Sequence, residues 1–440
     1  MGNVTSVPKN DSSLLRSHSR GLLNRLLTES EASLALYHVG FGFRIVQIAL
    51  ICCMRLITAA SYIILLTFIL LPVQPKQVGG ELVYCCVLAF CCVEALFLPY
   101  YVALFRKVSE KRPLVHYCAT REERREFFQQ CILAMNNTAS SYALQSKLKF
   151  KPESYIQQAV EGWFFGTSIE NIYKENFNQW VACYFFNCEL HDLSYIEKEE
   201  CEEYTSIVEN NMKRKFLNGN NDSIRSARLH LDPVFVTQRP FIQYAGVWTL
   251  DLAAHSFLYM LGYRKEHSTI NGSQTVYIRR RIYTEKSKDI DHNKGNGKTK
   301  KLPIVFCHGL GIGIAPYLPL IYGLPLDVDI ILLDSAHVAM RTIEVPTIQE
   351  TKDVLLEALV ANNYDETCFV AHSLGCTVVS WFLRDPKIAK YVSSTVQIDP
   401  VTFLLCDPGV AISFVYKNPT NIVYLGMHFF LSREITISSY

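Results

Sequence analysis

Two apolar runs near the start of the chain restrict its folding more than any other feature. Ile45 to Val73 is apolar apart from Gln47 and Arg55. Its uninterrupted part, Leu56 to Val73, is about 18 residues long, close to the ~20 needed to cross a bilayer core. Leu82 to Phe105 is a second run of spanning length. A spanning segment must satisfy its own backbone N–H and C=O groups, so both runs are predicted to be helices. The connection between them, Gln74 to Glu81, is short and holds Pro75 and Gly79-Gly80, so together they predict a helical hairpin. Arg55 can snorkel at one end. Glu94 is costly to bury within the second run, so it is expected to face the partner helix or a polar cavity.

Positive charge orients the hairpin. Arg16, Arg20, Arg25, Arg44 and Arg55 precede or open the first run, Arg106, Lys107, Lys111 and Arg112 follow the second, and the connection has only Lys76. Both termini are therefore expected in the cytosol, in a multi-pass protein of the endoplasmic reticulum or another endomembrane. The sequons at Asn136-Asn137-Thr138 and Asn271-Gly272-Ser273 are then chance matches. Met1-Gly2-Asn3-Val4-Thr5-Ser6 fits N-myristoylation at Gly2, with an ordinary polar terminus as the alternative. One such chain adds little to a protein that already spans. No cleavable signal peptide is evident, because the first apolar run starts too far in.

Composition narrows the class. A hydrophobic content of 49% is high for a soluble enzyme, and a formal net charge of +2 without long one-sign blocks gives no reason to propose nucleic acid as a partner. Of 15 cysteines, six stand as adjacent pairs in the apolar runs (Cys52-Cys53, Cys85-Cys86, Cys91-Cys92) and the rest are scattered without metal-ligand spacing. Reduced, buried thiols in a cytosol-facing protein are the simplest reading, with palmitoylation of the paired cysteines as an alternative. No metal or organic cofactor is implied.

From Arg121 to Asn218 charged and apolar residues alternate at helical spacing, with many aromatics, among them Trp163 and Trp180. Such a bundle either packs as ordinary helical core or lies amphipathically on the bilayer. Asn218 to Ser223 is predicted to be a linker. Gln243 to Leu261 could pass for a third span, but Asp251, His255 and its modest length favour a buried helix beside the core. Thr275 to Tyr283 alternates as an early strand. In the polar loop Lys286 to Lys300, Gly295-Asn296-Gly297-Lys298-Thr299 suggests a phosphate loop. That reading fails, since His292 stands where its first glycine belongs and a strand follows it.

The remaining chain alternates strands with helices. Leu302 to Cys307, Asp329 to Asp334, Cys368 to Ala371 and Val392 to Ile398 are apolar strands, and Ile348 to Val360 is helical. The pattern predicts a parallel sheet with its chemistry at the carboxyl ends of the strands. His308-Gly309-Leu310-Gly311, Asp334, Ser373 and Asp399 all stand at such ends. Ala371-His372-Ser373-Leu374-Gly375 turns from strand to helix, the context of a nucleophile elbow, although Ala371 replaces the usual first glycine.

These segments resemble the α/β-hydrolase superfamily: the strand-H-G-x-G turn matches the first half of its oxyanion hole, A-H-S-L-G-C-T its elbow, and I-D-P-V the end of the next core strand. Trp163 to Phe177, Arg239 to Tyr244 and Ile398 to Leu405 further resemble a group of eukaryotic membrane proteins that place two spans and a helical segment before such a domain. The expected organisation is a cytosolic segment over residues 1–42, two transmembrane helices over 43–106, a helical region over 107–218, a linker over 219–226 and an α/β-hydrolase-like domain over 227–440.

The resemblance assigns Ser373 as nucleophile, the N–H groups of Leu310 and Leu374 as the oxyanion hole, and His308, Gly309, His372 and Gly375 as residues that shape the site. Asp399 is a candidate acid, and Asp334 is expected to be structural. The fold normally continues into two further strands that bring the acid and the histidine of the triad. Here about 40 residues follow Asp399, and their one histidine, His428, lies in an apolar segment where a cap belongs. Two readings result. One is a membrane-anchored serine esterase or lipase acting on an ester or acyl-lipid substrate. The other is a catalytically silent hydrolase-like scaffold, or a shortened product, lacking the histidine.

Overall fold

The computed structural model describes residues 41–71, 74, 79–110, 120–146, 152–229, 231–281, 301–419 and 421–438. Gly2 and the loop over 286–300 lie outside them. The chain divides into two units, Met1–Cys53 and Met54–Tyr440, and the second holds every strand and all but the start of the first helix.

Helix α1 (Phe41–Leu70) and helix α2 (Glu81–Glu110) both contain stretches long and apolar enough to cross a membrane. They run as a hairpin: Tyr62 donates to the Ala95 carbonyl at 2.7 Å, and Phe68 stacks on Tyr84. Glu94 is fully buried, but its partner is neither the first helix nor a cavity. It accepts the N–H groups of Phe241 and Ile242, each at 2.9 Å. A carboxylate on the first turn of a helix satisfies orphan donors and meets the positive end of the helix dipole. The acid in the second apolar helix therefore caps a helix far along the chain.

Four helices follow: α3 (Arg121–Ser146), α4 (Pro152–Trp163), α5 (Lys174–Phe186) and α6 (Tyr195–Met212). Ser194 and Glu197 form the capping box that starts α6. The helices enclose an apolar core of their own, in which Phe128 stacks on Tyr204 and Trp163 meets Trp180. The segment expected as a linker is packed onto this bundle. The Asn176 side chain holds the backbone N–H and C=O of Asn221, and the Ala227 N–H donates to the Trp163 carbonyl.

Helix α7 (Phe241–Met260) precedes the sheet. It buries Gln243, Val247, Asp251, Ala254 and Leu258, one face at three-to-four spacing. The opposite face carries Trp248, Leu250, Leu252 and Met260 in the open, so the expectation of a buried helix holds for one side only. The helix covers the sheet with that side, and nothing among the described residues covers the other.

The sheet has six strands: β1 (Arg264–Ser268), β2 (Gln274–Arg279), β3 (Ile304–Cys307), β4 (Ile330–Ser335), β5 (Thr367–His372) and β6 (Val392–Ile398). Their spatial order is β1-β2-β4-β3-β5-β6, and only β2 runs against the other strands. Every residue of β4 is buried, as expected of a parallel strand covered on both faces. Helix α8 (Ile348–Ala361), opened by a Thr347–Glu350 capping box, and helix α9 (Cys376–Arg384) pack Leu355, Leu359, Val379 and Phe382 on one face. Leu258 of α7 packs with Phe306, Ile330 and Leu332 on the other face. After β6 the chain continues in short helical turns, and Phe414, Leu431 and Ile437 from these pack against Leu310 and Ile312.

Candidate functional site

Parallel register brings the ends of β3, β4 and β5 level: Cys307 pairs with Leu333 and with Ala371. Chain leaving β5 turns at Ser373, whose φ of 50° is left-handed. A non-glycine residue pays for that conformation with strain, which persists only where the surroundings enforce it.

The surroundings are two glycines. A Cβ on Gly375 would stand 2.4 Å from the Cys307 carbonyl oxygen and 2.7 Å from that of His308, so α9 starts against the end of β3. A Cβ on Gly309 would stand 2.8 Å from His372 Nδ1 and 3.0 Å from Ser373 Cβ. The H-G turn and the elbow therefore touch, with Gly309 beside the serine. Ala371 at the first motif position is fully buried, and a methyl group is what that space holds.

Tyr317, in the turn Ala315–Tyr317, closes the pair. Its hydroxyl accepts the Gly309 N–H at 3.0 Å and shares a hydrogen bond with His372 Nδ1 at 2.8 Å. Burial raises the Tyr317 pKa and keeps the hydroxyl protonated. Nothing in the sequence pattern singled out this tyrosine, which lies beyond both motifs. Its bond bears on the N–H groups around Leu310, where the oxyanion hole is expected. The Gly309 N–H is engaged by Tyr317 and that of Gly311 by the Val338 carbonyl, and Leu310 lies between them.

His308 is a stitch between strand ends. Its Nε2 accepts the Ser335 N–H at 2.9 Å, so Nδ1 carries the proton and donates to the Gly309 carbonyl at 2.8 Å. Asp399 also has a left-handed φ, 47°, and it follows Ile398, which pairs with His372. It thus leaves β6 level with Ser373 leaving β5.

No histidine among the described residues is joined to Ser373 or Asp399. His255 bonds the Asp251 carbonyl, His372 bonds Tyr317, and His428 accepts from Arg433 Nε at 2.9 Å. His337 is buried, and desolvation lowers its pKa to about 4. His191 and His267 lie beside Asp192 and Glu357.

Under the H-G-L-G-I-G loop, Asp251, His255 and Asp334 bring ligand-type atoms within 4.8 Å of one another. The Arg341 guanidinium already bridges both carboxylates. Two carboxylates therefore meet two cations, because His255 is held protonated. Burial alone would lower its pKa, but hydrogen bonds to Asp251 and Asp334 outweigh that and raise it to about 10. Asp334 has more than the expected structural role at its turn: it ties β4 to α7 and to the loop after β4.

A histidine whose folded pKa is raised contributes stability that is complete below its unfolded value near 6.5 and gone once pH passes about 10. The expected result is a melting temperature that falls across that interval, and falls less steeply in His255→Gln. Equal slopes in the two proteins would remove His255⁺ from the fold's electrostatics.

No protein-family model matches the chain, and no curated protein is similar to it. Solved structures that superpose on it include carboxylesterase CesB from Bacillus subtilis, with 11% identity over 44% of this chain and 67% of that chain and a TM-score of 0.27. Naproxen esterase from Bacillus subtilis gives 11% identity, 44% and 64% coverage and a TM-score of 0.26. Est816, described as an N-acyl homoserine lactone degrading enzyme, gives 16%, 40%, 69% and 0.24. The chain thus spans about two thirds of the length of these structures. Likeness so slight carries no argument, and the strand order and the elbow stand without it. A sheet ordered β1-β2-β4-β3-β5-β6, with β2 alone reversed and a left-handed serine on the corner between β5 and α9, is an α/β-hydrolase fold, and this chain has it.

Proposed function

We propose that the protein is a membrane-anchored serine hydrolase in which Ser373 attacks an ester or acyl-lipid carbonyl. The observation that carries this reading is the strained, glycine-backed corner at Ser373. An ordinary strand-to-helix turn has no need of a left-handed serine, whereas a nucleophile must stand clear of its strand. In the reaction Ser373 Oγ bonds the carbonyl carbon and the carbonyl π electrons move to its oxygen. The N–H groups of Leu310 and Leu374 stabilise that charge, the alcohol then leaves with a proton, and water releases the acyl group. Membrane anchoring rests on the two spanning-length helices and on the apolar outer face of α7, whose first turn is bonded to Glu94 of α2. The excess of Arg and Lys outside the connection supports a topology with both termini in the cytosol and membrane lipids around α1 and α2.

One observation favours a second reading, a silent hydrolase-like scaffold. A serine hydroxyl needs a base, and each described histidine is held elsewhere. The test is labelling of the full chain by a fluorophosphonate probe. The hydrolase reading expects a covalent adduct on the peptide holding Ser373, and its loss in Ser373→Ala together with ester turnover, by a factor of at least ~10³. A protein that takes no probe and turns over no ester belongs to the scaffold class, and a Ser373→Ala variant that hydrolyses esters as fast as the unaltered chain removes Ser373 as the nucleophile.

A further inference from the structure

The bundle α3–α6 holds a partly open pocket of about 370 Å³, bounded on one side by Leu405, Cys406, Val410 and Ala411 from the chain after β6. Apolar surface left facing water there is a standing cost that an apolar occupant would remove. The volume falls in the ~300–1,000 Å³ range of small-molecule sites. Its wall is the second observation. No charged side chain reaches it, and aromatic and aliphatic groups make nearly all of it, with Phe127, Ile132, Ala159 and Val208 among them.

The Trp180, Trp163 and Tyr184 rings line the wall, and their faces suit hydrocarbon. The outer side of the cavity is fixed in place. Tyr155 donates to Asp407 at 2.8 Å, Trp163 donates to the Cys406 carbonyl at 3.2 Å, and Pro408 fills the space over Gly162.

We propose that this cavity binds one aliphatic acyl chain by its hydrocarbon part, with the polar end of the molecule directed out through the open side. Chemistry selects the occupant. A wall without charge rejects phosphate and peptide termini, which would lose their solvation unpaired, and accepts hydrocarbon without penalty. The two walls stand differently to the elbow: Arg384 at the far end of α9 stacks on the Phe127 ring at 5.4 Å, whereas Leu405 on the opposite wall directly follows the turn Val401–Leu404, which packs beside Ser373–Gly375.

The occupant's source is either a free fatty acid or a chain of a bilayer phospholipid, and photocrosslinking distinguishes them. The full chain in nanodiscs is irradiated with a diazirine-bearing palmitic acid in one arm and a diazirine-bearing phosphatidylcholine in the other. Crosslinked peptides are then mapped by mass spectrometry. The expected result is labelling of peptides spanning Phe127–Met135, Ile156–Trp163 or Leu405–Ala411 in at least one arm, suppressed at least tenfold by excess palmitate and by Ala159→Phe, which fills the space. If Ala159→Phe does not fold, Ala411→Phe on the opposite wall takes its place, and the palmitate competition stands alone on the unaltered chain. Labelling confined to α1, α2 and α7, or labelling that palmitate leaves unchanged, overturns the proposal. The same experiment on Ser373→Ala should give the same map, which keeps this inference independent of the hydrolase reading.

Discussion

Gly375→Ala is expected to leave little folded protein, even though alanine is the better helix former. The backbone at Gly375 is right-handed, with φ −58° and ψ −20°, so conformation does not demand glycine there. Space does. The new Cβ would meet two backbone oxygens, of Cys307 and His308, at 2.4 and 2.7 Å, and neither is the end of a flexible side chain. Relief requires β3 and α9 to separate, which opens the core where Cys307, Ala371 and Cys376 are all buried. Overpacking against rigid neighbours costs about 3 kcal/mol or more, a large share of the roughly 5–15 kcal/mol that stabilises a domain. Gly246→Ala is the control. Gly246 lies on the exposed face of α7 with no atom within 4 Å of its Cβ position, and alanine there is expected to be neutral or stabilising by about 0.5–1 kcal/mol. Thermal unfolding read by protease resistance decides. If Gly375→Ala melts with the unaltered protein, the close approach of elbow and H-G turn is not present in solution.

That close approach was partly legible in the sequence, and the reason is local. Strands β3 to β5 are short apolar runs bounded by turn residues, and both motifs are contiguous in the chain, so periodicity and spacing located them. The hairpin was legible for the same reason. Strand β6, expected as apolar, is instead an edge strand of mixed V-S-S-T-V-Q-I sequence that is mostly exposed. Strand β1, Arg264–Ser268, has no apolar alternation and exists because β2 offers it an edge, so pattern reading passed over it. Tyr317 and Glu94 were harder still. Each acts on a group distant in sequence, 55 residues away for Tyr317 to His372 and 147 for Glu94 to Phe241, and no single-sequence pattern encodes such a pairing. Helix α7 was read as buried because Asp251 and His255 interrupt its apolar surface. Asp251 lies on the buried face and the half-buried His255 bonds beside it, and the outer face is the apolar one.

Arg341→Met is expected to cost more than any other single change outside the strand–elbow contact. Arg341 makes the closest contacts to both carboxylates of the cluster, at 2.9 Å to Asp251 and 2.5 Å to Asp334 against 3.3 Å for His255, and Arg341, Asp251 and Asp334 are all nearly closed to solvent. Methionine has the length to fill the same volume, so the loss is one of charge. Asp334 lies far below the usual carboxylate range. Desolvation works against this, and the His255 contact with the Arg341 charge and hydrogen bond prevail. Without the guanidinium, His255⁺ alone would face two buried anions. Removing one partner of a buried pair costs about 3–5 kcal/mol, because the other charge remains buried without compensation. The asymmetry of that rule supplies the decisive comparison. In Arg341→Met with Asp251→Asn one cation meets one anion again, and stability should return by half or more of the loss. A double variant as unstable as the sum of its single changes would show that the residues do not interact, and α7 would then be held on the sheet by its apolar contacts alone. Activity gives an independent reading. A Cβ on Gly313 would lie 3.4 Å from Arg341 Nη2, so the guanidinium packs under the loop that carries Leu310. If Ser373 is the nucleophile, Arg341→Met should slow acylation, through a lower kcat more than a higher KM, at temperatures where the variant is still folded.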